Sequence, residues 1–229
     1  MNTYMAMWDK VVGAHSGQYG LYFQNYKTKT GLREITMIGR AGEGVWMAGE
    51  LLGAAASVRG KYTKVIFTMP GERRNTPTRS FVRFSDSPVN FPVSYIHSAD
   101  DMIILEEELL TLSSPVLDLD VSTMTKRMEP GGFCVVNSQK SPAELERYVS
   151  GKPVCVDGSA ISNEYLGSPF FVNIPVIGAY LSVSKDLKIE DMESAIKEFI
   201  NPRGHRVFDQ AKSKQSIKAL RAGYESVRR

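Results

Sequence analysis

A glycine-rich turn in the first quarter of the chain contains residue types that suit ligand binding. Gly39, Gly42 and Gly44 follow a Gly-x-x-Gly-x-Gly spacing, with Arg40 and Glu43 between them. Glycine lets the backbone approach a ligand closely, and free N–H groups at the start of a following helix attract anions. The spacing is neither the dinucleotide fingerprint nor a P-loop, since no Gly-Lys-Ser/Thr follows. The pattern therefore predicts either a phosphate-type ligand site or only a tight strand–helix connection.

A second candidate segment contains a pair of arginines. Met69–Pro77 is a loop punctuated by proline and glycine, and it holds Arg73, Arg74 and Asn75. Guanidinium groups can bind phosphate or carboxylate through forked hydrogen bonds. The same arginines could equally anchor a subunit interface through the carboxylates of a neighbour, so both interpretations stay open.

Glu43 conflicts with a phosphate ligand in the glycine turn. Two like unit charges about 4 Å apart repel by roughly 4 kcal/mol at an effective dielectric constant of 20. Either Glu43 points outward and pairs with Arg40, or the turn no longer holds a phosphate.

The order of predicted elements places both segments at one edge of a sheet. Alternating and apolar stretches predict strands at Arg33–Ile38 and Lys64–Thr68, with a helix at Val45–Val58 between them. Further predicted elements are strands at Thr78–Ser85, Asp101–Leu105, Gly132–Asn137 and Pro153–Asp157, and helices near 159–166, within Asn173–Val183 and around 189–199. This alternation is typical of a doubly wound, mostly parallel α/β sheet, whose binding crevice lies at the carboxyl ends of the strands.

Residues 1–31 differ from the rest of the chain. They show no clear hydrophobic period and are rich in aromatic and amide side chains. We interpret them as an extended N-terminal arm that packs on a partner subunit, with a disordered extension as the alternative. Residues 32–229 contain no linker and no internal repeat, so they are interpreted as one α/β domain.

Composition excludes several classes of function. Among the 229 residues are two cysteines and three histidines, too few and too scattered for an iron–sulfur cluster or a metal site of the chain's own. No apolar run could span a membrane and no signal peptide is visible, so a cytoplasmic location is expected. Basic residues are not interleaved with stacking aromatics, which argues against nucleic acid as a partner. No acid–base dyad or activated nucleophile is apparent, so no catalytic residue is assigned.

Several ordered motifs resemble the gamma subunit, or gamma domain, of the 2-oxoacid:ferredoxin oxidoreductases, the group that includes pyruvate synthase. The similarity extends over about residues 33–226. The segments that carry it are Ile38–Val45, Ala48–Leu52, Pro70–Arg74 with Pro77, Phe81–Asp86 with Pro88, Gly131–Ser138, Asp157, Asn173–Ala179 and Ala222–Glu225.

The resemblance implies a Rossmann-like domain that is one non-catalytic part of a larger enzyme. Enzymes of this family cleave a 2-oxoacid oxidatively with thiamine diphosphate and Mg, and pass electrons through [4Fe–4S] clusters to ferredoxin. Most of them transfer the acyl group to coenzyme A. The resemblance implies that alpha, beta and ferredoxin-like (delta) subunits hold these cofactors. It also implies that the gamma part covers the active site and handles coenzyme A, here through Gly39, Arg40, Gly42, Glu43, Gly44, Arg73, Arg74 and Asn75.

Two positions depart from the family pattern. The family commonly has Gln at the position of Glu43 and Gly at the position of Asn75. We therefore hypothesise that coenzyme A binding is weakened or absent, as a substrate such as oxalate, which yields only carbon dioxide, would permit. Two other hypotheses are a stand-alone α/β protein that binds phosphate or nucleotides, and a purely structural subunit whose loops seal the complex.

Overall fold

The computed structural model describes residues 31–68, 76–88, 96, 98–114, 119–199 and 208–228. The strands are β1 (Arg33–Arg40), β2 (Tyr62–Thr68), β3 (Pro77–Ser85), β4 (Asp101–Ile104), β5 (Ser113–Ser114), β6 (Leu119–Asp120), β7 (Phe133–Asn137) and β8 (Lys152–Val156). The helices are α1 (Val45–Val58), α2 (Val121–Lys126), α3 (Pro142–Leu145), α4 (Gly158–Leu166), α5 (Asn173–Leu181), α6 (Ile189–Glu198) and α7 (Gln210–Glu225). Two 3₁₀ helices cover Glu107–Thr111 and Glu146–Tyr148. Of the predicted N-terminal arm, only Gly31 lies among the described residues.

Six of the described strands form one sheet in the order β2–β3–β1–β4–β7–β8. β1, β4, β7 and β8 are parallel neighbours, while β3 lies antiparallel between β1 and β2. Five strands therefore point in one direction, which confirms the mostly parallel sheet, and β3 is the exception. The connection from Thr68 to Pro77 is too short to contain a crossover helix, so the chain returns antiparallel.

Side chains of the central strands alternate between two apolar cores, one on each face of the sheet. Ile103 and Val135 pack on the side of α1, α4, α5, α6 and α7, whereas their neighbours Ile104 and Val136 face the 3₁₀ helix Glu107–Thr111, α2 and α3. Burial on both faces explains why these strands are continuous apolar runs in the sequence. Helices on both faces confirm the doubly wound α/β fold.

The structure extends some predicted elements and adds others. α1 has the predicted bounds, and β1 and β2 are longer than predicted by two residues each. α7 is not among the predicted helices, because its buried face contains small residues such as Ser213, Ser216 and Gly223 in place of an apolar stripe. A Cβ atom on Gly223 would lie 2.0 Å from the carbonyl oxygen of Pro175, so this glycine permits close packing of α7 on α5.

A buried ionic cluster joins the amino ends of β1 and β4. Nη2 of Arg33 donates to Oδ2 of Asp101 at 2.7 Å, and Nε of Arg33 lies 3.0 Å from Oδ2 of Asp186. The Tyr180 hydroxyl donates to the same oxygen of Asp101 at 3.1 Å, and the Phe133 N–H donates to Oδ1 at 2.8 Å. Burial raises the pKa of Tyr180, so its hydroxyl keeps the proton that it donates. The 1 % exposed Asp101 is thereby fully partnered.

Candidate functional site

The direction of chain progression reverses between β1 and β4, and this makes the gap between their carboxyl ends the expected ligand crevice. From β1 the chain continues into β2 and β3 on one side, and from β4 into β7 and β8 on the other. α1 follows β1 on one face, whereas the 3₁₀ helix Glu107–Thr111 follows β4 on the opposite face. Ligands of open α/β sheets bind at such switch points. The glycine turn, residues 39–44, lies at this point.

Hydrogen bonds within the glycine turn, and one from the turn to Thr76, fix its conformation. The Ala41 N–H donates to the carbonyl oxygen of Thr76 at 2.8 Å, which ties the turn to the start of β3. The Glu43 N–H donates to the carbonyl oxygen of Arg40 at 3.1 Å. The Arg40 N–H in turn donates to Oε2 of Glu43 at 2.6 Å. Three backbone donors that a ligand could use are therefore already engaged.

The three glycines of the turn are required for different reasons. Gly42 has φ of 113° and Gly44 has φ of 79°, a conformation that side chains rarely adopt. A Cβ on Gly42 would meet no atom within 4 Å, whereas one on Gly44 would lie 2.7 Å from the side-chain nitrogen of Asn173. A Cβ on Gly39 would lie 2.7 Å from Cγ2 of Val45. Gly39 and Gly44 therefore serve close packing, while Gly42 faces open space.

Glu43 folds back over the end of β1 instead of pointing outward to pair with the Arg40 side chain. That guanidinium pairs with Glu106, and its Nη2 lies 3.8 Å from Oε2 of Glu108. Burial raises the pKa of Glu43 to about 7, although the N–H of Arg40 opposes the rise. The negative charge of Glu106 raises the same pKa further. The outward pair between Glu43 and the Arg40 side chain, one of the two alternatives for this turn, is therefore not the arrangement present.

Two asparagines brace this edge of the sheet. Asn137, at the end of β7, donates to the carbonyl oxygen of Leu105 at 3.0 Å and accepts from the N–H of Gly158 at 2.8 Å. Asn173, the first residue of α5, donates to the carbonyl oxygen of Gly44 at 3.4 Å and is 1 % exposed. Sequence reasoning places both residues in the family motifs but gives them no role. Their position as the last residue of a predicted strand and the first residue of a predicted helix is the signal that could have identified them.

An open pocket of about 580 Å³ lies beside the crevice, on the side of the sheet that carries the 3₁₀ helix Glu107–Thr111. Its lining includes Arg40, Glu107, Lys140 and Tyr148. Glu107 pairs with Lys140 and accepts a hydrogen bond from the Ser138 hydroxyl at 2.5 Å. Partial burial favours the neutral carboxyl, but the bonds from Lys140 and Ser138 outweigh it and lower the pKa of Glu107. The cations that line this pocket are thus paired with carboxylates.

Most of the predicted arginine loop, residues 69–75 with Arg73, Arg74 and Asn75, lies outside the described residues, while Pro77 belongs to β3. Its two ends are described. Thr68 ends β2 at the same edge as the end of β1, because both strands point in one direction. Thr76 contacts the glycine turn through Ala41. The loop therefore leaves and re-enters the sheet at the edge that carries the crevice.

The two cysteines do not fit an iron–sulfur cluster. Cys134 and Cys155 are both fully buried in the sheet, and burial raises the pKa of Cys155 to about 11 and that of Cys134 further still. Both thiols are therefore expected to stay protonated near neutral pH. In the described ranges there is no group of three or more His, Cys, Asp or Glu side chains arranged for a metal ion. Within the same ranges, no helix has the length and apolar character needed to cross a bilayer.

Comparison with known proteins gives consistent matches over the α/β domain. The family described as "Pyruvate ferredoxin/flavodoxin oxidoreductase" matches residues 34–226. The common subunit gamma of the pyruvate/ketoisovalerate oxidoreductases of Thermococcus litoralis is 30 % identical over 195 residues, which are 84 % of this chain and 95 % of the relative.

Solved structures agree with these sequence matches. The pyruvate oxidoreductase subunit PORC of Thermotoga maritima superposes with a TM-score of 0.68 at 26 % identity, covering 86 % of this chain and 97 % of that one. A 2-oxoglutarate:ferredoxin oxidoreductase of Magnetococcus marinus, solved with coenzyme A bound, shares the fold at a TM-score of 0.62 and 16 % identity. The match covers 85 % of this chain and 30 % of that one. The matched residues include both the glycine turn and the bracing asparagines, and the chain belongs to the pyruvate ferredoxin/flavodoxin oxidoreductase family.

Proposed function

We propose that this chain is the gamma component of a 2-oxoacid:ferredoxin oxidoreductase complex of the pyruvate synthase type. The observation that carries the proposal is the family match over residues 34–226, which spans the described six-stranded sheet except its first residue, Arg33, and includes the switch-point crevice. In this role the chain is a subunit of an oxidoreductase, and the oxidative cleavage of the 2-oxoacid takes place on its partners.

The partners in this proposal are alpha, beta and ferredoxin-like (delta) subunits, with ferredoxin as the electron acceptor. Thiamine diphosphate with Mg and [4Fe–4S] clusters would be held by these subunits, in keeping with the buried, protonated thiols of Cys134 and Cys155. Residues 1–31 would pack on a partner subunit. The complex would be cytoplasmic.

Within the complex, the carboxyl edge of the sheet would face the active-site region. Gly39, Arg40, Gly42, Glu43 and Gly44 would contact a ligand or the active-site edge there. Arg73, Arg74 and Asn75 would join them, since the described ends of their loop lie at this edge.

Glu43 bears on whether the ligand is coenzyme A. The glycines and the start of α1 suit the phosphates of coenzyme A, but the Glu43 carboxyl already occupies the Arg40 N–H. This favours a second candidate within the same class, a complex that acts on oxalate and needs no acyl acceptor. The alternative from another class is a stand-alone α/β protein that binds phosphate or nucleotides.

The test is purification of the full chain from its native source under anaerobic conditions, followed by activity assays. We expect it to co-purify with brown, cluster-bearing partners that reduce ferredoxin in the presence of a 2-oxoacid. A panel of 2-oxoacids with and without coenzyme A identifies the substrate and the need for an acyl acceptor. Purification as a colourless protein without partners contradicts the proposal.

A further inference from the structure

We propose that Glu43 is a built-in anion that keeps negatively charged groups out of the glycine turn and so decides which ligands the crevice accepts. The proposal rests on the proposed function only in taking the gap between β1 and β4 as the ligand site. It makes Glu43 a specificity-determining residue and not a catalytic one.

The position of the carboxyl group carries the proposal. Oε2 of Glu43 lies 2.6 Å from the Arg40 nitrogen, whose N–H it accepts. The same oxygen would lie 2.9 Å from a Cβ atom on Gly39, so the carboxyl group covers the backbone that the glycines leave bare. A phosphate oxygen binding at this end of β1 would compete for the same N–H donor. The turn thus holds its own anion where an external one would bind.

Among the residues that the structure describes, the groups around Glu43 leave its charge poorly balanced. The Arg40 guanidinium is bound by Glu106 and lies near Glu108, so its charge is shared among several carboxylates. Val45 and Leu105 contribute apolar surface, and Asn173 on α5 is neutral. An anion that enters the turn therefore meets the charges of Glu43 and Glu106 together. Like charges repel strongly in such a partly desolvated place.

Protonation of the Glu43 carboxylate would remove its repulsion of anions without a change in the backbone. Burial raises the pKa of Glu43 to about 7, with Glu106 acting in the same direction and Arg40 opposing it. A neutral carboxyl or a neutral glutamine amide would no longer repel a phosphate. Binding of an anion should therefore become tighter as the pH falls below about 7, and this dependence should disappear in Glu43→Gln.

Calorimetric titration with dephospho-coenzyme A tests this directly. Its pyrophosphate diester keeps its charge between about pH 6 and pH 8, so any change with pH belongs to the protein. The full chain is titrated alone and in the complex with which it purifies. We expect Glu43→Gln to bind on the order of 10-fold or more tightly than wild type at about pH 8, and the two to converge at about pH 6. Glu50→Gln, which removes a half-buried carboxyl from α1 away from the turn, should bind as wild type does.

Equal affinity of wild type and Glu43→Gln at about pH 8 would overturn the proposal, as would the absence of binding by both. The pH series on the wild-type chain needs no substitution, so a folding defect of the variant does not leave the question open. Wild-type affinity that stays constant from about pH 6 to pH 8 also contradicts it. None of these results affects co-purification with cluster-bearing partners, so the proposed function stands or fails separately.

Discussion

Strand β1 begins and ends with an arginine, and each of these arginines pairs with a carboxylate at β4. At the amino edge Arg33 binds Asp101, which is 1 % exposed and also receives hydrogen bonds from Tyr180 and Phe133. At the carboxyl edge Arg40 binds Glu106, whose side chain is 31 % exposed. The same kind of arginine–carboxylate ion pair therefore has a different role at each end of β1. The buried carboxylate of Asp101 fixes β1 against β4, while the carboxylate of Glu106 stays accessible at the switch point.

The two carboxylates should differ sharply in their effect on stability. Asp101→Ala leaves the buried Tyr180 hydroxyl and the Phe133 N–H without their acceptor, while Arg33 keeps Asp186, and we expect it to lower the free energy of unfolding by about 2–5 kcal/mol. Glu106→Ala at the open edge should cost about 1 kcal/mol or less, since solvent replaces the lost partner. Urea denaturation of the purified chain measures both values. Equal losses would erase the distinction between a structural and an accessible edge.

Two glycines of the turn at the carboxyl edge have different surroundings: Gly44 is closely packed, whereas Gly42 faces open space. Gly44→Ala adds a Cβ at positive φ and against Asn173, so we expect a loss of about 2–3 kcal/mol. Gly42→Ala suffers only the backbone strain and should cost about 1 kcal/mol. Thermal unfolding of the two variants gives the comparison. A larger loss for Gly42→Ala would show that the turn is packed on the side that faces the crevice.

The pH dependence of the free energy of unfolding should reveal the raised pKa of Glu43. Burial raises the pKa of Glu43 from its ordinary value of 4.5 to about 7, so the folded chain holds this proton more tightly than the unfolded chain. The stabilising contribution is complete below about pH 4.5 and is lost as the pH rises through about 7. Glu43→Gln should therefore gain about 1 kcal/mol relative to wild type between about pH 5 and pH 8, a value reduced for partial exposure to solvent.

Denaturation at several pH values provides the measurement for Glu43. Glu164→Gln, on the exposed side of α4, is the matched control and should follow wild type at every pH. A stability difference between Glu43→Gln and wild type that does not change with pH would mean that Glu43 titrates normally in the folded chain.

The smallest effect is expected at the pocket beside the crevice. Lys140→Ala breaks a surface pair with Glu107, and such pairs contribute little to stability because solvent screens them. Chemical denaturation at low and at high salt should give a small loss that shrinks as salt is added. A loss comparable with that of Asp101→Ala would place this pocket among the structural parts of the molecule.

The sequence alone predicts the six strands of the main sheet, the glycine turn and the edge at which the turn lies. Apolar runs such as Phe133–Val136 identify strands that are buried on both faces, and the bounds of α1 follow from the glycines before it and the polar residues after it. α7 was missed because contact through small residues has no apolar period, as Gly223 against Pro175 illustrates.

The charged contacts of the site could not be predicted in the same way. The sequence shows that Glu43 and Arg40 stand three residues apart, but not that Arg40 turns to Glu106 and leaves Glu43 with a backbone donor. The partner of the Arg40 side chain depends on where the chain lies after β4, and this segment is far from Arg40 in sequence. The brace from Asn173 to Gly44 is likewise a contact across 129 positions, which no local pattern contains.

We propose that the carboxyl edge of the sheet serves the activity of the complex and that the opposite end of α1 does not. Arg40 and Arg59 lie just beyond the two ends of this helix, and each pairs with a carboxylate, Glu106 and Asp191 respectively. The most direct measurement is kcat/KM for 2-oxoacid-dependent ferredoxin reduction by complexes assembled with Arg40→Ala or Arg59→Ala. We predict a loss of about 10-fold or more for Arg40→Ala in an intact complex and about the wild-type value for Arg59→Ala. Equal activity of the two complexes would contradict this assignment.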